Sequence, residues 1–242
     1  MSKPKIIAMI PARIGSTRLK MKNLALINGK PLIYYVIEAA KQSGVFDQIV
    51  LNADHELFAE IAKHYGVDFY LRPEQLGGSS VKSDDVVYDF MRKHLAEITA
   101  WVNPTSPLQA GEEVKKAIKY FLTQKLDSLF TVREEQVHCL YGGRPLNFNT
   151  TEQFAQTQDI IPISRFVYSI MIWRNTAFNK AYKAKGYAFF CGKVGYFPIS
   201  KESSLIVKTK EDLRLIDFIV TGREQKQGKK LEYDLIAQRG KQ

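Results

Sequence analysis

Apolar and polar positions fall into blocks along this chain. Lys5–Ile10 is a short apolar run that predicts a buried strand. A loop of small and basic residues, 11–23, follows it. Asn28-Gly29 marks a tight turn, and Pro31 opens a helix to about Ser43. Leu32, Tyr35, Val36 and Ala39 share one face of that helix, and Gly44 stops it. Gln48–Asn52 reads as a second strand. Asp54 stands where it can cap a helix over His55–Tyr65, closed by Gly66, and Val67–Leu71 reads as a third strand. Strand–helix–strand–helix–strand order implies right-handed crossovers and a mostly parallel sheet with helices on both faces.

Residues 72–81 are rich in Gly and Ser and predict an exposed loop. Ser83 reads as the cap of the next helix, with Asp84 and Asp85 in its first turn, at the positive end of the helix dipole. Ala100–Asn103 is a short strand, stopped by Pro104-Thr105-Ser106-Pro107. An amphipathic helix over Glu112–Thr123 and a strand over Ser128–Val132 follow. From Arg133 to about Arg165 the alternation ends, which predicts an excursion used for dimer contacts or for covering a ligand. Phe166–Trp173 and Gly195–Ile199 read as strands and Thr176–Lys183 as a short helix. Thr209 starts a helix to about Thr221, with Leu213, Ile216, Ile219 and Val220 inward. The expected organisation is a single α/β domain, 1–242, with an insertion at 133–165.

Composition narrows the partners. A chain of 242 residues with 45% hydrophobic residues can bury one sizeable core. It holds no apolar run long enough to span a membrane, and no apolar leader precedes the first strand. Cys139 and Cys191 make neither a disulfide framework nor a zinc site, so a cytoplasmic protein with reduced thiols is expected. The formal net charge of +10 calls for an anionic partner. Basic residues are spread along the chain without a compact tract of interleaved aromatics, which argues against nucleic acid.

The loop 11–23 lies at the carboxyl end of the first strand, the edge where open α/β sheets bind ligands. Its small residues, Ala12, Gly15 and Ser16, let backbone N–H groups approach phosphate oxygens, and Arg13 and Lys22 can neutralise them. The loop is neither a Walker loop nor a GxGxxG fingerprint. Charge pattern alone also fits a solvated basic turn. Asp54, Asp84, Asp85 and Asp212 sit near predicted helix starts and read as caps or dipole partners; Asp217 reads as lying on a solvated face. His55, His64, His94 and His138 show no metal-ligand spacing.

Pro11-Ala12-Arg13-Ile14-Gly15-Ser16-Thr17-Arg18-Leu19-Lys20-Met21-Lys22-Asn23, followed by Asn28-Gly29-Lys30-Pro31-Leu32, resembles the signature of bacterial cytidylyltransferases that activate acidic sugars. Leu71-Arg72-Pro73 and Asn103-Pro104-Thr105-Ser106-Pro107-Leu108 extend the likeness, in order, over the first half of the chain. These motifs are similar to those of CMP-sialic acid synthetases; Ser16-Thr17-Arg18 is closer to the related 3-deoxy-manno-octulosonate enzymes. The resemblance implies a Rossmann-like nucleotidyltransferase fold with a dimerisation excursion, a homodimer, and CTP, Mg²⁺ and an acidic 2-keto sugar as cofactor and substrates. It implies that Arg13, Ser16, Lys22 and Asn23, with Ala12 and Gly15 in the same loop, meet the nucleotide, joined by Arg72 and Ser83. Arg13 and Lys22 would be the catalytic cations, and Asn103, Phe189 and Phe190 would line the sugar pocket.

The second half departs from that pattern. The metal-holding Asp-x-Asp pair of the family falls on Ile206 and Lys208. Tyr168-Ser169 stands for an Asn-Gly pair, Gln158 for an arginine, and Asn103 for the usual glutamine. Two readings follow: an enzyme using other carboxylates or Lys208, or a nucleotide-binding homologue with weak turnover.

Overall fold

The central strand, β1 (Ile6–Ala12), is buried along its whole length. Residues 3–16, 18–78 and 80–225 are described by the computed structural model; Thr17 of the basic loop and residues 226–242 of the basic C-terminal segment lie outside it. The side chains of β1 alternate between two cores. Ile7 and Met9 join Val87, Phe90, Met91, Trp173 and Phe178 on one face, while Ala8 and Ile10 join Ile33, Val36, Ile37, Leu51 and Phe58 on the other. Coverage of both faces is why the strand reads as an unbroken apolar run.

After β1, a small hairpin of β2 (Leu26–Ile27) and β3 (Lys30–Pro31) turns at Asn28 and Gly29, both at positive φ. This left-handed pair at the centre of a two-residue turn favours Asn and Gly. α1 (Leu32–Ser43) starts after Pro31 and ends at Gly44, at φ 63°. Then come β4 (Gln48–Ala53), α2 (Leu57–His64), β5 (Asp68–Leu71), α3 (Ser83–Lys93), β6 (Ile98–Val102) and α4 (Gly111–Thr123). β7 (Ser128–Glu135) leads out to a second hairpin, β8 (Leu140–Tyr141) and β9 (Arg144–Pro145), and β10 (Ile163–Arg174) returns. α5 (Asn175–Lys185), β11 (Val194–Pro198) and α6 (Lys210–Gln225) complete the described chain.

Seven strands form one sheet in the order β11-β7-β10-β6-β1-β4-β5. All neighbours are parallel except β10, which runs antiparallel to both β6 and β7. The strand order reverses at β1: the chain goes outward to β4 and β5, then returns to β6 on the other side. β1 stays paired with β4 to Ala12↔Ala53 but leaves β6 after Met9↔Trp101. The two strands therefore part at their carboxyl ends, where a crevice at a switch point is expected.

Three local readings need correction. Asp54 does not cap α2: His55 Nδ1 accepts the Leu57 N–H, and the Asp54 carboxylate accepts the Ile14 N–H at 2.9 Å instead. Ser83 is the first residue of α3, not its cap, because the carbonyl of Lys82 already accepts from Asp85. Asp217 is not merely solvated: it accepts the Asn28 N–H at 2.6 Å and holds the first hairpin under α6.

Candidate functional site

A cleft of about 350 Å³ opens where β1 and β6 part. The loop after β1 supplies Arg13, Gly15 and Ser16, and a single 3₁₀ turn, Lys22–Leu24, supplies Lys22 and Asn23. Arg72 comes from the end of β5, Ser83 from the start of α3, and Trp101 and Asn103 from the end of β6. Eight of the expected nucleotide and sugar positions are thus lined up on one cavity.

The loop is fixed from below. Arg72 is buried; its Nη2 donates to the Ala12 carbonyl at 2.7 Å, and its backbone N–H donates to the Ala53 carbonyl at 2.7 Å. Ala12 itself is buried beneath the cleft and takes part through that carbonyl. Burial lowers the pKa of Arg72 from its ordinary value, and Asp54 offsets part of that. The Arg72 Nε–H and the Asn23 Oδ1 are both buried with no partner among the described residues, walled off from the open cleft by the protein's own atoms.

Lys22 crosses the cleft's other end. Its Nζ donates to the Val207 carbonyl at 3.2 Å, while the Val207 N–H donates to the Thr105 carbonyl at 2.9 Å. The stretch 205–208 is therefore stitched between the basic loop and the Asn-Pro-Thr turn. Burial pushes the Lys22 pKa down, helped by Arg18, Arg13 and Lys208; Asp212 pulls the other way. This is a cluster of like charges short of a counter-ion.

Asn103 lines the cleft, but its amide is engaged within the protein. Oδ1 accepts from Thr105 N and Oγ1, and Nδ2 donates to the Tyr168 carbonyl at 2.7 Å. It holds the turn that carries Pro104 and Thr105. Phe189 and Phe190 lie away from the cleft, on a separate depression beside Asp84. Asp84 Oδ1 accepts the N–H groups of Ala188 and Phe189, and the Phe189 ring meets the edge of Trp101 at 6.5 Å between centroids. Trp101 was missed by sequence reasoning because an aromatic in a strand reads as core. It lines the cleft, and its Nε1–H is buried without an acceptor among the described residues.

Comparison with known proteins gives this cleft a family. Residues 7–189 match the model of the cytidylyltransferase family. The chain belongs to that family. An N-acylneuraminate cytidylyltransferase of Escherichia coli O18:K1:H7 is 40% identical over 124 residues, 49% of this chain and 29% of that protein. One from Streptococcus agalactiae serotype V is 29% identical over 217 residues, 86% of this chain and 51% of that protein. The chain thus spans about half, or less, of the length of these relatives. Among solved structures, a CMP-2-keto-3-deoxy-manno-octonic acid synthetase complexed with CTP aligns with TM-score 0.69 at 16% identity, covering 90% of this chain and 99% of that one. At that identity the likeness shows the shared cytidylyltransferase fold.

A magnesium ion bound by the protein needs oxygen ligands, carboxylates above all. No carboxylate lines the cleft, and among the described residues no three His, Cys, Asp or Glu side chains gather as a metal group. Ile206 and Lys208 flank Val207, where the stretch meets the cleft. Of the two acids that follow, Glu211 is exposed, and Asp212 accepts the N–H groups of Lys208 and Thr209 and the Thr209 hydroxyl. This donor set does not fit a magnesium site of the chain's own.

Proposed function

We propose that this chain activates an acidic 2-keto sugar of the nonulosonate type with CTP, giving a CMP-sugar and pyrophosphate. The observation that carries the reading is the convergence of Arg13, Lys22, Asn23, Arg72 and Ser83 on one cleft at the switch point of a cytidylyltransferase sheet. The relatives named for N-acylneuraminate and the structural neighbour named for 2-keto-3-deoxy-manno-octonic acid support a sugar acid as acceptor.

In this reading the anomeric oxygen of the sugar attacks the α-phosphorus of CTP. The new phosphorus–oxygen bond forms as the bond to pyrophosphate breaks, and the hydroxyl proton leaves to solvent. Such transfer depends on in-line placement and on neutralising developing charge, not on a protein nucleophile. Arg13 and Lys22 supply fixed positive charge on the phosphate side. Arg72, Asn23 and Ser83 supply polar lining on the cytidine side. A homodimer built on the 133–165 excursion, of which 136–162 lie between β7 and β10, belongs to the same proposal.

The test is pyrophosphate release from CTP with a panel of 2-keto sugar acids, with and without magnesium. Release with at least one nonulosonate is expected. No release with any of them at high enzyme concentration overturns the activity. The missing carboxylates favour a second reading, a nucleotide-binding homologue with weak turnover. It predicts CTP binding by calorimetry without pyrophosphate.

A further inference from the structure

Among the described residues no acid lines the cleft, and its Lys22 end is cationic. Beside the burial that contributes most, the charges of Arg18, Arg13 and Lys208 all press the Lys22 ammonium toward its neutral form, against the pull of Asp212. The Lys22 bond to the Val207 carbonyl puts residue 208 next to that cluster. Val207 is fully buried in the core with Leu32 and Leu108, while Ile206 is half-buried and Lys208 lies at the surface. Lys208 is exposed and its ammonium has no ion-pair partner among the described residues. Asp212 is engaged in the first turn of α6: burial raises its pKa, but the N–H groups of Lys208 and Thr209, the Thr209 hydroxyl and the charge of Lys208 outweigh that and hold it low.

We propose that in this chain Lys208 takes the place of a protein-held metal ion: with Lys22, Arg13 and Arg18 it neutralises the nucleotide's polyphosphate, so nucleotide binding needs no divalent cation. The inference rests on the reading of the cleft as a CTP site. A lysine ammonium stands four bonds beyond Cβ, long enough to bring its charge to a phosphate that Lys22 also meets. It delivers one positive charge to the phosphate without first collecting oxygen ligands. A metal brought to this cluster would face like charges at close range, with nothing on the protein to hold it.

Calorimetry of CTP binding, in EDTA and in excess magnesium, tests this on the wild type, on Lys208→Ala and on Ile206→Asp/Lys208→Asp. Wild type is expected to bind CTP in EDTA at least as tightly as in magnesium. Lys208→Ala weakens binding in EDTA by about tenfold, the size of one charge-assisted contact to phosphate. The double aspartate variant reverses the preference and binds only with magnesium. Lys208 is exposed, so an unchanged melting temperature separates these losses from misfolding. Wild-type binding that weakens more than about tenfold in EDTA, or is untouched by Lys208→Ala, overturns the proposal and leaves the CTP reading standing. No CTP binding in either condition overturns both.

Discussion

Trp101 brings an indole N–H into a wall of the cleft, and that N–H meets no acceptor among the described residues. Leu76, Val81 and Val86 also line the cleft. A buried donor left open costs about 1–3 kcal/mol, and a small turn of the ring that brings it to a ligand carbonyl recovers much of that. The expected outcome is that CTP binding changes the fluorescence of Trp101. The other tryptophan, Trp173, is fully buried and donates to the Phe189 carbonyl at 2.8 Å, so Trp173→Phe should preserve the signal. Trp101→Phe keeps an aromatic ring but removes the donor, and should weaken CTP by about tenfold. Unchanged affinity would make Trp101 packing alone. Sequence could not mark this residue, because its role depends on β1 and β6 parting just beyond Met9↔Trp101. The basic loop was legible, since Arg13, Ser16, Lys22 and Asn23 lie within a few positions of one another.

At the scale of elements, signals carried within a few residues were readable and long-range ones were not. The Asn28-Gly29 turn, the Gly44 stop of α1 and the period of α6 are local. Asp54 followed by a helix looks locally like a cap, yet its partner is the Ile14 N–H, forty residues earlier. Asp217 likewise serves Asn28 across the fold. Asp54 also lies under the 72–78 loop: a Cβ on Gly77 would stand 3.1 Å from the Asp54 Cβ, and the carboxylate supports the Arg72 charge. One carboxylate therefore ties together the loops that follow β1 and β5, the two walls of the cleft. Asp54→Ala should leave the Ile14 N–H without its acceptor and cost about 1–3 kcal/mol. For a chain of this size that lowers the melting temperature by a few degrees, about 2–4 °C per kcal/mol. It should also weaken CTP, because Arg13 and Arg72 lose a fixed frame. Asp54→Asn, which keeps an acceptor, should restore most of the melting temperature. Equal losses in both variants would show that the charge, not the hydrogen bond, is what matters.

Across the whole molecule, the sheet and its switch point could be read from the order of strands and helices, whereas the shape of residues 136–162 could not. β7 and β10 keep pairing out to Glu135↔Ile163, beyond the core. The segment past that point is held together by its own contacts. Asn147 bridges Cys139, Val137 and Ile161, and His138 stacks on Phe154 at 4.3 Å. Its apolar side chains nevertheless face out: Tyr141 is 80% exposed, Ile161 79% and Phe154 73%. Sequence showed only that alternation stopped there, because a surface built to be covered by another molecule carries no periodic pattern of its own. Large apolar side chains grouped on a projecting arm mark an interaction surface, and a second copy is the occupant proposed above. The chain should therefore run as a dimer by light scattering coupled to size exclusion. Tyr141→Asp with Ile161→Asp places charges on that surface and should shift the dissociation constant by at least about thirtyfold, the cost of losing a central anchor. Arg13, Lys22, Arg72 and the other described residues of the cleft lie outside 136–162, so the monomeric variant should still bind CTP. A wild-type chain that is monomeric at all concentrations removes the dimer, and a variant that stays dimeric moves the interface elsewhere.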